Sequence, residues 1–124
     1  MNPETGVREI EVTTVGEVMN GTSAIAQRCG RHLYAIWNED GEALYVGRTL
    51  ISVRKRLWQH SDKCSPIGHL IRTNWAKSQN WLIKIYHVHS GYFEAEKQMI
   101  HELNPKLNIV RGQITYYDDY QEEN

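Results

Sequence analysis

Residues 32–47, HLYAIWNEDGEALYVG, constrain the fold more than any other stretch of this chain. Two short runs, HLYAIW and ALYV, are rich in aromatic and branched apolar residues, which suits strands. Between them NEDGE supplies an Asp-Gly pair, the composition of a tight reversal. A β-hairpin follows. With two or four residues in the turn, pairing joins positions of opposite parity, so Tyr34 and Tyr45, eleven apart, project from one face. Gly47 lies two residues beyond Tyr45 on that face and leaves bare backbone that a ligand could approach.

The remaining elements follow from periodicity and caps. Ser52 is a candidate N-cap for a helix over about 53–62, carrying Val53, Leu57 and Trp58. Cys64-Ser65-Pro66 interrupts the chain, and Pro66 suits the first turn of a second helix to about residue 77. WLIKIYHVH reads as a third strand, and a third helix runs over roughly 91–103 until Asn104-Pro105 stops it. LNIV, residues 107–110, suits a short edge strand. VREIEVTTV alternates apolar and polar residues imperfectly and reads as a strand of the N-terminal extension, and a short helix over about 22–28 is compatible with the turn formers around it. The expected class is α+β: a small antiparallel or mixed three-stranded sheet, hairpin plus third strand, flanked by about three helices. Residues 1–29 form an N-terminal extension, 30–112 the main domain and 113–124 an acidic tail.

Composition excludes several classes. At 124 residues the chain is one domain, and 40% hydrophobic with 23% charged residues fits a folded protein. No apolar run approaches the roughly 18 residues of a membrane span. The start lacks a basic segment followed by an apolar one, and two cysteines cannot make a disulfide framework, so a cytoplasmic setting without membrane contact is expected. The net charge of −1 conceals a segregation. Residues 48–77 carry Arg48, Arg54, Lys55, Arg56, Lys63, Arg72 and Lys77 against Asp62 alone, a balance of +6. The flanking segments carry −4 and −3. Such a block can attract a polyanion, or can simply be two solvated helix faces.

Three local features carry chemistry. The paired phenols could bind phosphate and orient a water, or could be half-buried sheet aromatics. Arg56 and His60, four apart, share a helix face. A guanidinium grips phosphate with two parallel bonds, and an imidazole can donate to oxygen or move a proton. Glu96 falls in a stripe with Phe93, Ile100 and Leu103, expected to face the core. A carboxylate there is costly unless it is paired, with Arg56 a candidate partner, or holds a cation such as Mg²⁺ beside water and phosphate oxygens. His87 and His89, or His60 and Cys64, lack a third ligand at metal-site spacing.

Taken together, LYAIWNEDGEALYVG, RLWQH and EKQMIHELNPKLN resemble the GIY-YIG nuclease superfamily over about residues 31–110. Tyr34 and Tyr45 stand at the two motif tyrosines, with YVG in the second element. The first element reads His32-Leu33-Tyr34, without the usual Gly and Ile. The resemblance implies a DNA endonuclease leaving 5′-phosphate and 3′-hydroxyl ends. It further implies a catalytic set of Tyr34, Tyr45, Arg56, His60 and Glu96, with Glu96 on one Mg²⁺ or Mn²⁺ ion. Tyr34 is expected nearest the attacking water, Arg48, Arg54 and Lys55 on backbone phosphate, and Asn108 in support of the site. DNA is the expected partner, and a homodimer would allow both strands to be cut. A catalytically silent nucleic-acid-binding module on the same scaffold is the alternative.

Overall fold

The structure is a computed structural model that describes residues 6–108. Four strands form one antiparallel sheet in the order β1-β4-β2-β3. They are β1 (Val7–Thr14), β2 (His32–Trp37), β3 (Ala43–Thr49) and β4 (Leu82–Val88). The expected sheet of three strands is therefore too small by one. The missing strand lies in VREIEVTT, which pairs along β4 from Val7↔Val88 to Thr14↔Leu82. Its register slips between Glu9 and Glu11, so Ile10 is an extra residue in the ladder. A bulge resets the side-chain period, which is why the alternation reads as imperfect.

The expectation of about three helices is also too low among the described residues. Five α-helices lie wholly within the described residues, α1 (Val15–Asn20), α2 (Val53–Lys63), α3 (Pro66–Thr73), α4 (Trp75–Ser78) and α5 (Tyr92–Leu103), and residues 106–108 are also helical. A 3-10 turn adds Ile25–Gln27, inside the span anticipated for a short helix. The helix expected over 66–77 is two, broken at Asn74, whose backbone leaves the helical region at φ −122° and ψ 44°. Gly91, at φ 66°, precedes α5 as its N-cap. Leu107 and Asn108 are helical rather than extended. The rest of LNIV and the acidic tail lie outside the described residues.

The hairpin turn is longer than an Asp-Gly reversal needs. Residues 38–42 close it around Asn38, whose side-chain oxygen accepts from the N–H groups of Asp40 and Glu42, each at 3.0 Å. A register shift between Ile36 and Trp37 compensates for the odd loop length. Beyond it the pairing is Ile36↔Tyr45 and Tyr34↔Gly47, which joins opposite parities and puts both phenols on one face.

Both faces of the sheet are covered, so β2 is buried along nearly its whole length and reads as an unbroken apolar run. On one side Tyr34, Ile36, Tyr45, Ile83 and Ile85 pack with Val53 and Leu57 of α2 and with Ile67 and Ile71 of α3. On the other, Val7, Leu33 and Val88 pack with Tyr92 and Ala95 of α5. This second cluster corrects the expected phase of α5. Tyr92, Ala95 and Glu96 face inward with Met99 packed beside them, whereas Phe93 is 46% exposed. The stripe is turned by about one residue, and Glu96 is inside in either phase.

Candidate active site

Alternation along β3 sends its side chains to two different helices. Tyr45 and Gly47 face α2; Arg48, paired with Leu33, faces α5. On the α2 side three rings gather. Tyr34 Oη lies 2.9 Å from His60 Nε2. The Tyr45 and His60 rings meet edge to face at 5.3 Å, and the two tyrosine rings are 6.0 Å apart. The space beside Gly47 is filled. A Cβ at residue 47 would stand 2.5 Å from Cζ and Oη of Tyr34 and 2.8 Å from Cε2 of Tyr45. The bare backbone anticipated as room for a ligand is therefore room for the Tyr34 ring.

His60 is fixed from its far side by Ser65, whose Oγ is 2.7 Å from Nδ1. The same Ser65 hydroxyl accepts from the Gly68 N–H as the N-cap of α3. Gly68 lets α3 lie directly on α2, since a Cβ there would overlap the His60 carbonyl. Burial, then the neighbouring charges of Arg56 and Lys63, lowers the His60 pKa from 6.5 to about 3. The imidazole is therefore neutral at neutral pH. With its proton on Nδ1 it donates to Ser65 Oγ, and Nε2 accepts the Tyr34 hydroxyl.

That depressed value carries a pH signature. In the unfolded chain the imidazole takes up a proton below its ordinary 6.5, while the folded one does not until about 3. Its stabilising effect is complete above the unfolded pKa and is lost as pH falls through this window, at up to about 1.4 kcal/mol per pH unit. Urea unfolding should therefore weaken by ~1 kcal/mol more in the native protein than in His60→Gln between about pH 6 and pH 5. Equal pH slopes for the two proteins would refute a neutral buried His60.

On the α5 side, Arg48 Nη1 donates to Glu96 Oε1 at 2.8 Å, with both side chains buried. Its guanidinium carbon stands 4.4 Å from the centre of the Phe93 ring, which accounts for Phe93 lying outside the core stripe. The guanidinium expected on DNA thus lies inside the fold on Glu96. The edge of β3 is clasped by Asn108, whose Oδ1 accepts from Val46 N–H at 2.7 Å while Nδ2 donates to Val46 O at 3.0 Å. That side chain completes the open ladder between Tyr45 and Gly47 as a further strand would. Arg56 is buried on α2, with Nη1 donating to Gln59 Oε1 at 3.2 Å. Arg54 and Lys55 are not drawn into this cluster. Arg54 Nε donates to the Met19 carbonyl at 3.2 Å, and Lys55 is exposed.

Among the described residues, no group of three or more His, Cys, Asp or Glu side chains could hold a metal ion. Mg²⁺ asks for less, binding through one or two carboxylates with water and substrate phosphate. Glu96 is a carboxylate of that kind, so among the described residues the donor set is one that a one-carboxylate ion would need. Ser65 and Gly68 are the residues that sequence reasoning did not connect to the site. The signal for Ser65 was its N-cap position before Pro66; nothing in the spacing ties it to His60.

No helix among the described residues is long and apolar enough to cross a membrane. No curated protein and no solved structure matches the chain. The family model described as the GIY-YIG catalytic domain matches residues 22–108. That span holds both tyrosines, Arg56, His60, Glu96 and the Asn108 clasp, and the chain therefore belongs to the GIY-YIG family of nuclease catalytic domains.

Proposed function

We propose that this protein is a divalent-metal-dependent DNA endonuclease that hydrolyses phosphodiester bonds to 5′-phosphate and 3′-hydroxyl ends. The observation that carries the reading is the hydrogen bond between Tyr34 Oη and a neutral His60 Nε2. A phenol of ordinary pKa near 10 is a poor base in neutral solution. Donating its proton to Nε2 turns the Tyr34 oxygen lone pairs toward any water that approaches, and gives that proton somewhere to go. Burial is the larger cause of the low His60 pKa, and the charges of Arg56 and Lys63 add to it. A phosphate drawn to Arg56 offsets part of that second cause, so His60 gains some basicity with substrate in place.

Arg56 binds the charge that grows on the phosphoryl oxygens. Tyr45 holds the His60 ring edge and positions the phosphate. Glu96, on the α5 side of the sheet opposite the tyrosines, would hold the ion, oriented by Arg48, and Asn108 fixes the edge of β3 between Tyr45 and Gly47. A divalent ion at Glu96 supplies neutralisation of the phosphate and stabilisation of the leaving oxygen.

Burial supports this reading in one way and opposes it in another. Two arginines, a glutamate, a histidine and two tyrosines at 0–1% exposure are a costly set for a domain this small. Apolar residues of equal volume would serve stability as well or better. Such clusters occur where function demands them. The same burial favours a second reading, a silent nucleic-acid-binding module, because a phosphate must displace packed atoms to reach Arg56. Plasmid nicking separates the two. Supercoiled DNA should relax with Mg²⁺ or Mn²⁺ and remain intact in chelator. Salt-sensitive DNA binding with no cleavage under either ion would establish the silent module instead.

A further inference from the structure

The outer side of α2 carries a feature that hydrolysis does not use. Trp58 stands two residues from both Arg56 and His60, hence on the opposite side of the helix from them. It is 38% exposed, and Trp75, at the start of α4, is 45% exposed. Their rings lie 6.1 Å apart at 43°. The Trp58 ring is anchored, its Nε1 donating to the Met19 carbonyl at 2.9 Å, where Arg54 Nε also donates. Its orientation is therefore set before anything binds, which reduces the entropy lost on contact.

Cations surround the pair. Arg54 and Lys55 lie one turn before Trp58 on α2; Arg72 and Lys77 flank Trp75 in sequence. Arg72 Nη1 donates to Ser61 O at 3.1 Å and is otherwise exposed, and Lys77 lies 3.5 Å from Glu39 with both side chains exposed. Glu39 offsets Lys77, and Asp62 lies one turn after Trp58 on α2, which leaves Lys55 on α2 and Arg72 on α3 as exposed cations near the indoles in sequence. Cations beside exposed indoles suit a ligand both anionic and aromatic. A protein partner would need a larger apolar area than two rings present.

We infer that Trp58 and Trp75 form a stacking platform for an unpaired nucleic-acid strand, with its phosphates on Lys55 and Arg72. A duplex hides the faces of its bases against one another, so only an unpaired base can lie on the indoles. For substrate choice the inference rests on the nuclease reading: a strand held outside α2 and a phosphate held inside it would belong to one DNA, joined where duplex gives way to single strand.

The test is fluorescence anisotropy with labelled dodecathymidylate and with a blunt duplex, both in chelator so that cleavage plays no part. Trp75→Ala should bind the single strand about ten- to hundredfold more weakly, the loss of one base–aromatic stack, with duplex affinity unchanged. Trp75→Phe, which keeps a ring, should stay within about fivefold of the native protein and guards against misfolding of the alanine variant. Unchanged single-strand binding by Trp75→Ala, or an equal loss on both ligands, would overturn the platform. So would a native dimer that Trp75→Ala converts to monomer in sedimentation, because the indoles would then face a second copy. A protein that binds dodecathymidylate through Trp75 but never nicks DNA refutes the nuclease reading and keeps the platform; one that nicks without Trp75-dependent binding does the reverse.

Discussion

Glu96→Gln should lower metal-dependent cleavage by about 10³-fold, the scale on which single groups that stabilise transition-state charge are felt. DNA binding in chelator should change little. The amide keeps the volume and one oxygen for Arg48, so it should cost less stability than truncation does, although the guanidinium loses its counter-charge. Glu96→Ala is expected to behave differently. It leaves the Arg48 guanidinium, now buried against Glu96 Oε1 at 2.8 Å, without that partner. Breaking such a pair from one side costs about 3–5 kcal/mol, a large part of the stability of a small domain. Removing both charges tests that explanation. Arg48→Met with Glu96→Leu should recover stability to within about 1 kcal/mol of the native protein while remaining inactive. Urea midpoints and nicking rates on the same four proteins would check the set. Native-like cleavage by Glu96→Gln would remove Glu96 from the chemistry.

What could be read in advance divides along physical lines. The hairpin was legible because strand alternation and an Asp-Gly turn are local signals, and parity alone placed Tyr34 and Tyr45 together. Asn38 closes a longer loop than expected, yet the shift at Ile36/Trp37 restores the same parity. β1 was legible as a strand from its partial alternation, but the bulge at Ile10 blurs the period, and nothing local shows that it pairs along β4 as a fourth member of the sheet. α5 contains two overlapping apolar sets, and propensity cannot choose between Phe93-Ile100-Leu103 and Tyr92-Ala95-Met99. Tertiary contact chose the second, and Phe93 went to the face of Arg48. The partner of Glu96 could not be read at all. Arg56 was the obvious cation from the motif, but strand alternation at β3 carries Arg48 to the α5 side, 48 residues away in sequence. Burial was equally invisible. Charged residues in a list look like surface, and only coordinates reveal that Arg48 and Arg56 are enclosed whereas Lys55 is not.

Gly47→Ala is expected to impair the site severely, although glycine brings no chemistry. Its backbone is not in the left-handed region, so conformation is not the reason for it. Space is the reason. The added methyl would stand 2.5 Å from the Tyr34 hydroxyl and 2.8 Å from Tyr45, nearer than real Cβ atoms approach their neighbours. Neither phenol has an easy retreat. Tyr34 is fully buried with Oη on His60, and Tyr45 is held edge-on to the same imidazole. The expected cost in stability is about 1–3 kcal/mol from overpacking. Cleavage should fall by about 10²-fold, because a reacting group displaced by an ångström loses much of its advantage from positioning. A double-mutant cycle assigns the cause. In a Tyr34→Ala background the methyl still meets Tyr45 Cε2 at 2.8 Å, but that ring can turn into the space left by the missing phenol, so Gly47→Ala should cost clearly less than it does in the native protein. If the two substitutions instead add in full, Gly47 is required for something other than seating the Tyr34 ring, and the account of this site as phenols packed on bare backbone would be wrong.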